Sequence, residues 1–223
     1  MKILAFDTST EYCSTALRHD GGIVKREVFA QRQHSELLLP MIQDTLTEAG
    51  LQLSDLDGLA FGAGPGSFTG LRIACGVAQG LALATGLPVI GISTLEAIAQ
   101  QNVHDRIVVA LDARMGEIYH AAYIRQDNRW TPVSEPALCQ PRHAPVLPEG
   151  GWMACGNGFK VHCEPLQVLY RDQLMAIRDE QYPHAQEIAQ LAAMQAIDAF
   201  CTDPAQAAPV YIRNKVALKE SER

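Results

Sequence analysis

Residues 3–7 read Ile3-Leu4-Ala5-Phe6-Asp7, and residues 108–112 read Val108-Val109-Ala110-Leu111-Asp112. Each is a short apolar run closed by an acid, the pattern of a buried strand that ends at a polar turn. The segments downstream of the two acids are also alike. After Asp7 come Thr8, Ser9 and Thr10 as a turn, Cys13 to Leu17 as a second strand, His19-Asp20-Gly21-Gly22 as a hairpin turn, and Ile23 to Phe29 as a third strand. After Asp112 come Ala113 to Gly116 as a turn, Ile118 to Ile124 as a strand, Gln126-Asp127-Asn128 as a turn, and a third strand from Trp130 to Val133. Further on, Leu59 to Gly64 is echoed by Met153 to Gly158, each an apolar run entering Gly-x-Gly. The chain of 223 residues therefore reads as two copies of one unit, with lobes at 1–100 and 101–223. The fold expected is α/β, two duplicated lobes each with a mixed sheet flanked by helices.

Helical periodicity fills the gaps. Leu37, Leu38, Met41, Ile42, Thr45 and Leu46 predict a helix over 34–49, with Ser35 helping to start it and Gly50 ending it. A second helix is predicted over 71–85, stopped by Gly86 and Pro88; a third over 94–101; a fourth over 185–201. Five prolines between 132 and 148 mark an irregular connection or an edge strand. The end of the chain turns polar after Leu218 and is expected to fray.

Composition bounds the function. Hydrophobic residues make up 48%, enough for a sizeable core, and the formal net charge is -7. A chain this acidic is not expected to grip nucleic acid by itself; a basic partner would supply that. The six cysteines are dispersed and form no Cys-x-x-Cys pair, which argues for reduced thiols. Asp7 interrupts the N-terminal apolar run too early for a signal peptide, and no stretch approaches the roughly eighteen apolar residues of a membrane span. A soluble cytoplasmic protein is expected, with no membrane partner.

Three constellations carry candidate chemistry. The loop Gly62-Ala-Gly-Pro-Gly-Ser-Phe-Thr-Gly-Leu-Arg72 links a strand to a helix. It is not a Walker loop, because Leu71 stands where lysine is needed, and its glycine spacing is not that of a dinucleotide fingerprint. Two readings stay open: a tight turn with Ser67 or Thr69 capping the helix, or an anion or nucleotide cleft using Gly64, Gly66 and Ser67. The second constellation is Asp7 with Ser9 and Thr10, and its repeat-mate Asp112. Acids at strand ends facing one cleft could hold a metal-bound phosphate, or could merely cap their turns. Third, the helix over 71–85 repeats Ala74, Ala78 and Ala82, then Gly76 and Gly80, beside Ile73, Val77 and Leu81. The helix over 34–49 has apolar sets Leu38/Met41/Thr45 and Leu39/Ile42/Leu46. Two helices with more apolar surface than one sheet can cover predict a helix-bundle interface carried by His34, Leu38, Met41, Thr45, Ile73, Ala74, Val77, Ala78 and Leu81. No Gly-x-Ser-x-Gly elbow and no His-x-x-x-His pair occurs, and Cys155, His162 and Cys163 are a poor metal set.

Taken together, Asp7-Thr-Ser-Thr10, Gly64-Pro-Gly-Ser-Phe-Thr-Gly-Leu-Arg72, His34-Ser-Glu-Leu-Leu-Leu-Pro40, Ile92-Ser-Thr-Leu-Glu96, Leu111-Asp-Ala-Arg-x-Gly-Glu-Ile-Tyr119 and Pro209-Val-Tyr-Ile-Arg213 resemble the TsaB (YeaZ) family over essentially the whole chain. The resemblance implies the actin, sugar-kinase and heat-shock ATPase fold. It implies a non-catalytic subunit of the complex that transfers threonylcarbamoyl to N6 of adenosine 37 in tRNAs reading codons that begin with A. Its partners would be TsaD, the catalytic paralogue, and the ATPase TsaE. Pairing with TsaD would use the helices at about 34–49 and 71–85. The paralogue's two metal-binding histidines fall on Thr94 and Ile98 here, and neither residue type replaces imidazole. No cofactor is expected beyond weak ATP or ADP binding, tRNA is met through the complex, and a homodimer can form when the partner is absent. The alternative is a small-molecule kinase of the same fold using Asp7 and Asp112.

Overall fold

The computed structural model describes residues 1–20 and 22–213; Gly21 and the polar tail after Leu218 lie outside the described residues. In chain order the first lobe contains β1 (Ile3–Asp7), β2 (Tyr12–His19), β3 (Gly22–Phe29), α1 (His34–Ala49), β4 (Gly58–Gly64), α2 (Phe68–Thr85), β5 (Val89–Ser93) and α3 (Thr94–Gln100). The second contains β6 (Arg106–Asp112), β7 (Ile118–Gln126), β8 (Arg129–Cys139), β9 (Trp152–Cys155), α4 (Gly158–Val161), α5 (Cys163–Tyr170), β10 (Leu174–Arg178) and α6 (Ala185–Ala193).

The repeat read from the sequence is a repeat of topology. One sheet runs β3-β2-β1-β4-β5 and the other runs β8-β7-β6-β9-β10. In each, the first three strands of the unit pair antiparallel, and the next two add in parallel on the other side. Alternation sorts the side chains into layers. Ile3 and Ala5 face inward with Ile107, Val109 and Leu111. Leu4 and Phe6 face outward under α1 and α2, and Val108 and Ala110 face outward under the second lobe's own helices. The inner layer holds α3 and α6 between the sheets. These two helices cross over: α3 leaves the first sheet and also packs on β6 and β7, while α6, from the second half of the chain, packs on β1, β2 and β4.

Several expectations are corrected. The duplication lacks one helix, because between β8 and β9 only a 3-10 turn at Pro141–His143 stands where α1 would be. Proline removes amide donors and obstructs helix propagation there. The edge-strand reading of the proline-rich stretch holds, since Pro132 and Pro136 lie in β8, at the rim of its sheet. Strands β5 and β10 and helices α4 and α5 were not expected; each is short, of four to eight residues. Helix α6 ends at Ala193, not Cys201, because Cys201 pairs in antiparallel fashion with Val89 of β5. Ser35 makes no cap bond, and α1 starts from Gln33. Gly50 and Gly86 end their helices in the left-handed conformation, as read. Finally, α2 starts at Phe68, and its 18 residues average a hydropathy of 1.2, long and apolar enough to span a bilayer by composition. In the fold it lies on the first sheet through Ala74, Cys75, Ala78 and Ala82.

Candidate functional site

The parallel strands β1 and β4 end side by side, and the loops beyond their ends pack together. Ser67 accepts a bond from Gly70 N at 3.3 Å and is the N-cap of α2. The glycines of this loop serve contact with the β1 turn. A Cβ on Gly70 would stand 1.8 Å from the Thr8 carbonyl oxygen, and one on Gly66 would stand 2.6 Å from that of Ser9. Thr8 Oγ1 donates to Gly70 O at 2.6 Å and Ser67 N to Ser9 O at 2.7 Å. The glycines are thus filled by the chain itself, which is the tight-turn reading of the loop.

The repeat-mates Asp7 and Asp112 cap their turns alike. Ser9 N donates to Asp7 Oδ1 at 3.0 Å, and Arg114 N donates to Asp112 Oδ1 at 3.1 Å. Their surroundings then diverge. Asp7 is wholly buried; Ser9 Oγ donates to Oδ1 at 2.8 Å, while Oδ2 has no partner among the described residues. Oδ2 lies so close to Gly62 that a Cβ there would be 1.8 Å away. Loss of hydration outweighs the two Ser9 bonds and pushes the Asp7 carboxyl up to about 7. Asp112 is instead engaged by Arg114 Nη1 at 3.2 Å and His162 Nε2 at 3.2 Å, and Asn157 Oδ1 accepts its backbone amide at 2.9 Å.

Between the lobes lies a cleft of about 670 Å³. Of the residues expected there, Ser9, Thr10, Gly66, Ser67 and Asp112 line it, whereas Asp7 and Gly64 do not: both are buried beneath its floor. His34, expected on the partner interface, also lines the cleft and donates from Nε2 to Thr10 O at 2.9 Å. Sequence reasoning missed Arg32, Phe68, Arg114, Tyr211 and Arg213. All but Arg32 lie in strings quoted above for the resemblance, Phe68 in Gly64–Arg72, Arg114 in Leu111–Tyr119, and Tyr211 and Arg213 in Pro209–Arg213, but none was given a role there. The last of these strings is a strap. Val210 N donates to Ala63 O at 2.7 Å on the first lobe, and Arg213 Nη2 donates to Ala113 O at 3.0 Å and Glu117 Oε2 at 2.7 Å on the second. Arg114 adds a surface ion pair to Glu11 at 3.2 Å across the cleft.

The helix pair is the other candidate. Leu38, Thr45, Ala74 and Ala78 are fully buried in the chain's own outer core, so this part of the expected interface is unavailable to a partner. The small residues bring α2 close to its own sheet. Met41, Ile73, Val77 and Leu81 remain half-buried at the surface of that layer. Beside them Leu39 is 52% exposed and Leu83 80% exposed, and a Cβ on Gly76 or Gly80 would meet open space. Thr94 and Ile98 are fully buried, with Thr94 Oγ1 donating to Pro65 O at 2.5 Å. Among the described residues no group of three His, Cys, Asp or Glu side chains is placed to hold a metal ion; Cys155 is buried and Cys163 exposed.

Two lobes of one α/β unit, a cleft between them and an apolar outer helix pair define a protein of the actin, sugar-kinase and heat-shock ATPase class. Within that class, residues 8–219 match the family described as TsaD, tRNA N6-adenosine threonylcarbamoyltransferase. The chain is 40% identical over 99% of its length, and 98% of the relative's, to the tRNA threonylcarbamoyladenosine biosynthesis protein TsaB of Escherichia coli (strain K12). It is 35% identical to the protein of the same name from Haemophilus influenzae, over 99% of this chain and 97% of that one. The solved structure of YeaZ from Pseudomonas aeruginosa superposes with a TM-score of 0.85 at 37% identity, covering 94% of this chain and 99% of that one. A structure from the same organism, described as similar to peptidase YeaZ, gives 0.89 at 37% identity, covering 95% and 99%. The chain belongs to the TsaB (YeaZ) family.

Proposed function

We propose that this protein takes part in forming N6-threonylcarbamoyladenosine in tRNA, as a cytoplasmic, non-catalytic subunit that binds and supports the catalytic paralogue TsaD alongside TsaE. The relatives' shared name supports the pathway. The subunit role rests on one observation above all: the outer surface of α1 and α2 leaves Leu39, Leu83, Gly76 and Gly80 uncovered on a layer whose inner face is already filled. Apolar helix surface of this kind suits another helix pair. In the absence of the paralogue a second copy of this chain can occupy it. Thr94 and Ile98, where the resemblance places the paralogue's metal-binding histidines, are buried and carry no imidazole, which supports the non-catalytic reading. Any ATP or ADP in the cleft is bound weakly, and tRNA is reached through the complex.

The kinase alternative needs two carboxylates facing one ligand. Asp7 lies under the cleft floor, and Asp112 is held by Arg114 and His162, so the geometry favours the subunit. The test is co-purification and a threonylcarbamoylation assay with TsaD and TsaE. This chain alone modifies no tRNA, the mixture does, and Gly80→Arg stays folded but loses both TsaD and activity. A folded Gly80→Arg variant that retains both overturns the interface. A wild type that adds nothing to the mixture overturns the function.

A further inference from the structure

Phe68 and Arg72 are four residues apart on α2, so helical geometry places them on one face. The Arg72 guanidinium carbon lies 3.4 Å from the Phe68 ring centroid. The strap adds a third member. Anchored at Val210, it sets the Tyr211 ring 5.6 Å from that of Phe68, tilted by 39°, and 5.5 Å from the Arg72 guanidinium. The cluster is not core: Phe68 is 39% exposed and Tyr211 44% exposed, and both stand on the rim of the cleft. Across the rim is Arg32, also exposed. Among the described residues neither Arg32 nor Arg72 has a carboxylate partner, whereas the cleft acids Glu11 and Asp112 are both taken by Arg114. In a chain of net charge -7, two aromatic rings and Arg32 thus stand on one rim with Arg72 stacked beside them, neither guanidinium having a carboxylate partner among the described residues.

We propose that this rim is a docking point for a single-stranded segment of RNA, with an unpaired base stacking on the Phe68–Arg72–Tyr211 platform and flanking phosphates meeting Arg72 and Arg32. An unstacked base offers a flat π face to aromatic rings and to guanidinium planes, and its phosphates supply the missing counter-charge. Duplex RNA buries its base faces and would use only the charges. The inference rests on the proposed role in tRNA modification and deepens it, placing on this subunit one contact to an unpaired stretch of the tRNA.

The test measures binding of a fluorescent stem-loop RNA, and of a blunt duplex of equal charge, to this chain alone and to its complex with TsaD, as salt is varied. The wild type is expected to prefer the stem-loop. Tyr211→Ala weakens stem-loop binding roughly ten- to a hundredfold and duplex binding little, while Tyr211→Phe, which keeps the ring, binds like the wild type. Arg72→Gln lowers the slope of log affinity against log salt by about 0.7 for each phosphate that is no longer neutralised. Equal affinity for duplex and stem-loop, unchanged binding by Tyr211→Ala, or no RNA binding by either form of the wild type overturns the proposal. TsaD co-purification of the same variants is read separately. Loss of TsaD with loss of RNA assigns the rim to the partner interface and also overturns it. A wild type that fails to bind TsaD yet holds the stem-loop through Tyr211 sinks the subunit reading and leaves the platform standing.

Discussion

Asp7 and Gly70 are positions where packing decides what a residue does. The Asp7 carboxyl is carried into the folded protein with one oxygen unpartnered and its carboxyl pushed up from 3.8 to about 7. The folded state therefore holds the proton more tightly than the unfolded one. Its favourable contribution is full below about pH 4 and disappears as the pH rises to about 7. Glu187, also pushed up to about 7 by burial, acts with the same sign, while His120, pushed down to about 4, acts oppositely. The informative quantity is thus the difference between proteins. Asp7→Asn keeps the acceptor for Ser9 and removes the charge, so it should gain on the order of a few kcal/mol over wild type at about pH 8 and little at about pH 4, read by urea denaturation. Gly70 has the opposite sensitivity. With a Cβ directed at the Thr8 carbonyl oxygen, 1.8 Å away, Gly70→Ala should cost about 3 kcal/mol or more, visible as a large fall in Tm.

At the scale of elements, α2 shows how one helix serves two surfaces. Ala74, Ala78 and Ala82 face the sheet while Gly76 and Gly80 face out, a division of the small-residue stripes that periodicity alone leaves undetermined. Ala78→Arg buries a guanidinium in the outer core and should prevent folding, judged by loss of the cooperative thermal transition. Gly80→Arg places the same charge in open space and replaces a poor helix former, so the isolated protein should be more stable by about 0.5–1 kcal/mol in the same melt. Equal behaviour of the two variants would contradict the orientation of the helix. Helix α6 teaches a related lesson. The apolar residues Ile197 and Phe200 lie in the stretch read as its continuation, yet the helix stops at Ala193 and Cys201 instead pairs with Val89 at the edge of β5. A backbone bridge formed from far along the chain overrides local periodicity.

For the whole molecule, the crossing of α3 and α6 has a direct consequence. The inward face of the first sheet, with Ile3, Ala5, Ala16 and Ala60, is covered by α6 from the second half of the chain. A fragment of residues 1–104 would leave that face in water. It should be insoluble or lack a cooperative unfolding transition, measured by circular dichroism, although it contains a complete sheet. A folded, monomeric fragment would show that the lobes are independent. The strap at 207–213 adds to this interdependence by bonding α2 and β4 on one side and the turn before β7 on the other.

The repeat, the strand β1 with its terminal acid, the limits of α1 and the cap at Ser67 were legible in the amino-acid order, because each rests on contacts among near neighbours: alternation, helical period, a turn, a cap. Membership of the TsaB family was equally legible, in strings of residues within single loops and helices. The surroundings of the candidate site were not. Asp7 and Asp112 look alike in sequence and cap their turns alike, yet one is sealed under Gly62 and the other is held by Arg114 and His162 at the cleft. Which stripe of α2 faces the sheet, where α6 ends, and the meeting of Phe68, Arg72 and Tyr211 on one rim were likewise settled only by the tertiary structure. These depend on segments from tens to more than a hundred residues apart being pressed into a shared core, and burial, not residue type, then determines which groups stay charged, paired or exposed.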